Sequence, residues 1–109
     1  MSIIDNLEAM RSRGQDSALL RYSLGNEYQK QGQAEAAITH LAKAVELDPH
    51  YSAAWKAYGK LLGQQGRHGD AIEALTHGIE VAEQKGDAQA AKEMRVFLKR
   101  AHAAQHAAP

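Results

Sequence analysis

The sequence repeats itself after 34 residues, and this repetition constrains the fold more than any other feature. The segment from Tyr22 to Leu41 returns as the segment from Lys56 to Leu75. With a shift of 34, identical residues coincide at Gly25 and Gly59, Gln31 and Gln65, Gly32 and Gly66, Ala37 and Ala71, Ile38 and Ile72, Leu41 and Leu75, and Glu46 and Glu80. A fixed period of this length indicates one supersecondary unit that is present twice.

Each repeat reads as a helix, a turn and a second helix. Ala, Leu, Gln, Glu and Lys dominate the periodic segments, both prolines lie outside them, and strand-like alternation is missing. Turn signals lie near Gly14, at Gly32, from Asp48 to Ser52, from Gly66 to Asp70 and from Lys85 to Asp87. The pattern therefore predicts five or six short helices and an all-α fold.

The residues at the fixed spacings carry a family resemblance. In the first repeat they are Arg21, Leu24, Gly25, Tyr28, Ala37, Leu41 and Pro49, and in the second they are Trp55, Tyr58, Gly59, Leu62, Ala71, Leu75 and Glu83. This series resembles the tetratricopeptide repeat, whose pattern is Trp-x2-Leu-Gly-x2-Tyr, then Ala-x3-Phe, then Pro. The first repeat departs from it at Arg21, and the second has Glu83 where the proline belongs.

The resemblance implies antiparallel helix pairs stacked in a short right-handed superhelix, with a capping helix at each end. We expect a single domain over residues 1–109. Its parts are a half-repeat capping helix (1–14), repeat one (17–50), repeat two (51–84), a C-terminal capping helix (87–103) and a frayed tail (104–109). The half repeat is indicated by Ile4 and Leu7, which lie 34 residues before Ile38 and Leu41.

Small residues should bring the two helices of each repeat together. Gly25 and Gly59 allow a close approach that a larger side chain would prevent, and Ala37 and Ala71 do the same from the opposite helix. Trp55 and Tyr28 should fill the space between neighbouring helices. We therefore assign most of the periodic residues to the fold.

The resemblance also implies a concave groove lined by the first helix of each repeat. Its outward-facing positions would be Tyr22, Asn26, Gln29 and Lys30 in repeat one, and Lys56, Lys60 and Gln64 in repeat two. Lys56 and Lys60 are like charges one helical turn apart, so an acidic partner would relieve their repulsion. The alternative is that both side chains are simply solvated at the surface and contact no partner. The family's clamp for a C-terminal carboxylate is incomplete, because Tyr22 and Ala57 replace its Lys and its second Asn.

Composition limits the other functions. Lys plus Arg equal Asp plus Glu, and the chain has no cysteine, so we expect no nucleic-acid partner, no thiolate chemistry and a cytoplasmic location. An apolar run long enough for a membrane span is missing, and the first residues lack a signal-peptide pattern. His102 and His106 are spaced for metal chelation but have no further ligand nearby, while His40 and His77 should face outward from the second helices. We predict no cofactor, no metal and no enzymatic activity.

The first candidate function is an adaptor that binds a peptide or helix of another protein through the groove, where Lys56 and Lys60 favour an acidic partner. The alternative is structural self-association through the terminal helices, for instance through Met94 and Phe97 if the last helix closes poorly. A third, a minor enzyme or metal carrier that uses His102 and His106, would be abandoned if zinc produced no heat and no spectral shift.

One basic segment of the last helix could contact nucleic acid, but Glu93 is interleaved, so we take it as a solvated face; its side chains are Lys92, Arg95, Lys99 and Arg100.

Overall fold

Six helices make up the computed structural model, which describes residues 2–107. They are α1 (Ile3–Ser12), α2 (Ala18–Lys30), α3 (Ala34–Leu47), α4 (Ser52–Gln64), α5 (His68–Lys85) and α6 (Ala88–Ala107). Over these residues the chain contains no strand, as the sequence predicts. The helices form two compact units, an N-terminal unit with α1 to α3 and a C-terminal unit with α4 to α6.

The turns follow the predicted signals. Gly14, Gly32, Gly66 and Gly86 all have φ between 73° and 82°, a left-handed conformation that glycine adopts without steric cost. Ser2 and Ser17 begin α1 and α2 by accepting hydrogen bonds from backbone N–H groups three residues later, which satisfies donors that a helix start leaves open. Local sequence chemistry therefore sets the starts of α1 and α2 and the ends of α1, α2, α4 and α5.

The N-terminal unit packs α2 against α3 through the predicted small residues. Gly25 is buried, and a Cβ atom built on it would lie 2.6 Å from Cγ of Leu41. Leu24, Ala37 and Leu41 have no exposed surface. Helix α1 packs on α2, yet none of its ten residues is buried. This helix therefore lies against α2 but remains largely exposed itself.

The C-terminal unit repeats this packing and adds a third helix. A Cβ atom on Gly59 would lie 2.4 Å from Cδ2 of Leu75, so α4 and α5 approach as closely as α2 and α3 do. Helix α6 packs on both α4 and α5 and places Met94, which is fully buried, beside Gly78. The predicted closing helix thus completes the core of this unit.

The end of α6 corrects one predicted boundary. We expected a frayed tail from residue 104, but α6 remains helical to Ala107; residues 108–109 lie outside the described residues. Alanine, the strongest helix former, occupies positions 103, 104 and 107. The side-chain nitrogen of Gln105 also lies near Gly69 of α5. High helix propensity and this contact explain the longer helix.

Candidate functional site

A shallow groove in the N-terminal unit lies between α1 and α2. It has a volume of about 470 Å³, and its lining includes Asn26, Gln29 and Lys30 of α2 together with Ile3 and Leu7 of α1. Three of the four predicted positions of repeat one therefore lie together. Polar side chains of α2 border the groove, and aliphatic side chains of α1 form its other wall.

The fourth predicted position, Tyr22, is partly buried on α2 and does not line this groove. Lys30 is exposed and forms an ion pair with Glu27 over 3.1 Å, a contact of little energetic weight at the surface. The amide groups of Asn26 and Gln29 can each donate and accept hydrogen bonds. The α2 side of the groove can therefore bind both hydrogen-bond donors and hydrogen-bond acceptors.

A second groove, of about 260 Å³, lies between α4 and α6 in the C-terminal unit. From α4 it is lined by Gly59, Lys60, Gly63 and Gln64, from α5 by His68, and from α6 by Phe97, Arg100, Ala101 and Ala104. Two of the three predicted positions of repeat two, Lys60 and Gln64, lie here. The small residues leave space beside the Phe97 ring.

Lys56 has a different environment from the one predicted. Its Nζ atom donates to Oε2 of Glu93 on α6 over 3.0 Å. The carboxylate that was expected from a partner is therefore provided by the chain itself. The pKa of Glu93 is lowered, first by its hydrogen bond from Gln89 and then by Lys56.

The sequence prediction missed the contribution of α6 to the groove. Lys60 Nζ lies 5.5 Å from the centre of the Phe97 ring, and Arg100 Cζ lies 5.9 Å from the same centre. Both are within the range of a cation–π interaction. The spacing of Phe97 and Arg100 places them on one helix face, but only the packing of α6 on α4 brings this face to Lys60. Arg100 is exposed, as the sequence predicts, and it also borders the groove.

The N-terminal unit contains a polar network that joins its three helices. The Tyr28 hydroxyl donates to Glu8 of α1 over 2.9 Å, and Glu8 also accepts from Arg11 over 2.8 Å. On the other side of the network, the Tyr28 ring stacks on His40 of α3 at 5.3 Å between ring centres. Arg21 approaches Nδ1 of His40 at 3.2 Å.

This network corrects the prediction that His40 faces outward. This residue is only 8% exposed, and it contacts Arg21 and the ring of Tyr28. Burial and then the Arg21 charge lower the pKa of His40. Burial and the hydrogen bond to Glu8 raise the pKa of Tyr28, and the hydrogen bond from Arg11 lowers that of Glu8. The network is a structural feature of the unit and lies apart from the residues that line its groove.

Trp55 takes the corresponding place in the second repeat. It is partly buried, and its ring lies 4.5 Å from the ring of His77, measured between centres. Its Cβ atom would be 2.7 Å from a Cβ built on Gly78. These contacts agree with the prediction that Trp55 fills space between helices. His77 is exposed, as predicted.

Two further observations concern other classes of site. Among residues 2–107, no group of three or more His, Cys, Asp and Glu side chains is arranged to hold a metal ion. None of the helices in this part of the chain is both long and apolar enough to cross a membrane.

Comparison with known proteins agrees with the helix pairs and their spacing. A family model described as "Tetratricopeptide repeat" matches residues 22–77. A TPR repeat-containing protein of Pseudomonas aeruginosa is 46% identical over 98 residues, which cover 90% of this chain and 93% of that protein.

Solved structures also resemble this chain over most of its length. A Bordetella parapertussis protein solved in solution has a TM-score of 0.78 and 43% identity, with 94% of this chain and 89% of that one covered. A tetratricopeptide repeat domain protein of Salinibacter ruber, also solved in solution, has a TM-score of 0.77 and 30% identity, with coverages of 85% and 94%. These matches confirm the all-α fold and the predicted resemblance. With its two 34-residue helix pairs, the chain belongs to the tetratricopeptide-repeat family.

Proposed function

We propose that this chain is a protein-interaction module that binds a segment of a partner protein on the faces of α2 and α4. Tetratricopeptide-repeat folds generally mediate interactions between proteins, which supports the class of function. The observation that carries the proposal is that five of the seven predicted binding residues line a groove in their own unit. Tyr22 and Lys56 do not line these grooves, and we assign them no direct contact with a partner.

The two grooves offer what a peptide segment needs. In the N-terminal unit, Asn26 and Gln29 can pair with backbone groups of the partner, while Ile3 and Leu7 offer apolar surface. In the C-terminal unit, Lys60 and Gln64 provide polar contacts beside the Phe97 ring. Such mixed surfaces are typical of protein interfaces, in which a few polar contacts fix the partner over an apolar centre.

We propose no catalytic activity. The family is generally non-catalytic, and binding in the grooves requires no reacting group. The expected cytoplasmic location stays a prediction, which fractionation of cells that produce the chain would test.

Self-association through the terminal helices is the second candidate. Met94 is fully buried and Phe97 is partly buried, so these two side chains do not form an exposed apolar end. The exposed large apolar side chains of the terminal helices are Ile3 (59%) and Met10 (36%) on α1 and Val96 (45%) on α6. A homodimer would use such a surface, and light scattering over a range of concentrations measures its presence directly.

Site-specific photocrosslinking tests the binding proposal. A benzoylphenylalanine side chain is introduced at Asn26 or at Lys60, one position for each groove, and the chain is irradiated in the cells that produce it. Matched control positions are Glu46 and Glu80, which lie 34 residues apart on the second helices and are both exposed. The crosslinker has the same size at all four positions.

The proposal expects heavier adducts from Asn26 and Lys60 and few or none from the controls. Equal adduct formation at all four positions would contradict a specific groove. Adducts of twice the chain mass, together with a dimer in light scattering, would instead support self-association.

A further inference from the structure

The strongest unexplained feature outside the predicted residues is a pair of cations that share one aromatic ring. Lys60 of α4 and Arg100 of α6 approach the ring of Phe97 to 5.5 Å and 5.9 Å, respectively. Both side chains are exposed and line the same groove. Two like charges near one ring repel each other, and the negative face of the ring offsets only part of that repulsion.

Within residues 2–107, neither Lys60 nor Arg100 forms an ion pair with a carboxylate. In the same unit Lys56 pairs with Glu93, Arg67 with Asp70, and Arg95 with Glu83, whereas Lys92 and Lys99 form no such pair over the described residues. Lys60 and Arg100 differ from Lys92 and Lys99 because they line the groove beside Phe97. The groove therefore presents positive charge that the described part of the chain leaves uncompensated.

The rest of the groove is neither charged nor filled. Gly63, Ala101 and Ala104 form part of its lining, and their small side chains leave apolar space beside Phe97. His68 at the start of α5 also borders the groove, but its Nδ1 atom is buried, so a ligand in the groove does not reach that atom.

From these two features we propose that the groove between α4 and α6 binds a partner segment in which a side-chain carboxylate of Asp or Glu stands next to an aliphatic residue. The carboxylate pairs with Lys60 and Arg100, and the aliphatic side chain contacts Phe97 and the small residues. This inference rests on the proposed function and adds the chemistry of the ligand. A free inorganic anion would satisfy only the charge of the groove.

Titration of ¹⁵N-labelled protein with defined peptide pools tests the inference. The first pool contains acetylated, amidated hexapeptides with Leu-Glu fixed at the centre and uncharged residues elsewhere. The second pool replaces the central Glu by Gln, and the third replaces the central Leu by Ser. Capping both ends removes the terminal charges, so binding must come from the side-chain carboxylate. A fourth pool, with Leu-Gln and a free C-terminus, tests a terminal carboxylate instead.

We expect the Leu-Glu pool to shift the amides of Gly63, Phe97 and Ala101, and to bind more tightly than the Gln and Ser pools. Lys60→Gln and Arg100→Gln should each weaken its binding about three- to tenfold, as for a partly solvated charge pair. Lys99→Gln is the matched control, since it removes the same charge from the exposed residue beside Arg100 and should change binding less than twofold. The amide spectra of the variants also show whether each one remains folded.

The inference is overturned if the Leu-Glu and Leu-Gln pools bind equally, if the free C-terminus alone gives binding, or if Lys99→Gln weakens binding as much as Arg100→Gln. Shifts confined to α1 and α2 would overturn it while the proposed function stands. If no pool shifts any amide of either unit and the photocrosslinks are equally weak at all four positions, both fail.

Discussion

Replacing Gly59 by alanine should destabilise the C-terminal unit, although alanine is the better helix former. The new Cβ atom would lie 2.4 Å from Cδ2 and 2.5 Å from Cγ of Leu75, far inside van der Waals contact. Leu75 is 1% exposed and cannot move into solvent. Overpacking of a filled core costs about 1–3 kcal/mol, while the gain in helix propensity is about 1 kcal/mol. We therefore expect a net loss of stability of up to about 2 kcal/mol.

Gly63→Ala is the matched control, because Gly63 lies one helical turn later on α4. There the added Cβ would meet only the Cβ of Ala71, at 3.9 Å, which is an ordinary contact. This variant should keep the propensity gain of about 1 kcal/mol and be more stable than the wild type. The two alanine variants should thus differ by about 1–3 kcal/mol in free energy of unfolding.

Urea unfolding followed by circular dichroism measures this difference, and an unchanged m-value shows that the same surface unfolds. A second substitution in the Gly59→Ala background, Leu75→Val, should recover part of the loss by removing atoms near the clash. If Gly59→Ala is as stable as Gly63→Ala, the close approach of α4 and α5 does not depend on the missing side chain and our reasoning is refuted.

Three further predictions concern the polar network and the tryptophan. Because His40 is buried with a pKa below the ordinary 6.5, the unfolded chain takes up its proton first. Stability should therefore fall as the pH drops through 6.5, and His40→Gln should flatten this part of a plot of urea midpoint against pH; an unchanged plot would contradict this. Tyr28→Phe removes the hydrogen bond to Glu8. Since such a bond contributes about 1 kcal/mol, amide hydrogen exchange in α1 should accelerate about fivefold. Unchanged exchange in α1 would contradict a role of this bond in holding α1 on α2. Trp55→Ala should lower the free energy of unfolding, measured in urea, by about 2–3 kcal/mol. This loss is smaller than for a fully buried tryptophan because Trp55 is partly exposed. A loss below about 1 kcal/mol would show that Trp55 fills little space between the helices.

The sequence was sufficient for the helix pairs because several local signals agreed. The 34-residue period, the glycine at each turn and the small residues at Gly25 and Gly59 all predict the same packing. In the structure, Leu41 and Leu75 lie against these two glycines. The repeat pattern therefore carries the information on which residues meet within each helix pair.

The sequence was less informative where side chains meet across helices that the repeat pattern does not relate. Nothing in the spacing pairs Lys56 with Glu93, which lie 37 residues apart, or places Arg100 near Lys60. Likewise, the repeat spacing does not place His40 beside Arg21 and Tyr28. The groove of the C-terminal unit includes α6, whose sequence fits the repeat poorly, and so the part of the lining that α6 provides could not be predicted.

The central claim is that the grooves on α2 and α4 bind a segment of a partner protein. For the most direct measurement, the partner segment that crosslinks at Asn26 or Lys60 is made as a synthetic peptide. Amide spectra of ¹⁵N-labelled protein are then recorded with and without this peptide. The account predicts saturable shifts among residues that line a groove, such as Gln29 or Gly63, and little change on the exposed faces of α3 and α5. Shifts concentrated on those outer faces, or no saturable shift at all, would contradict it.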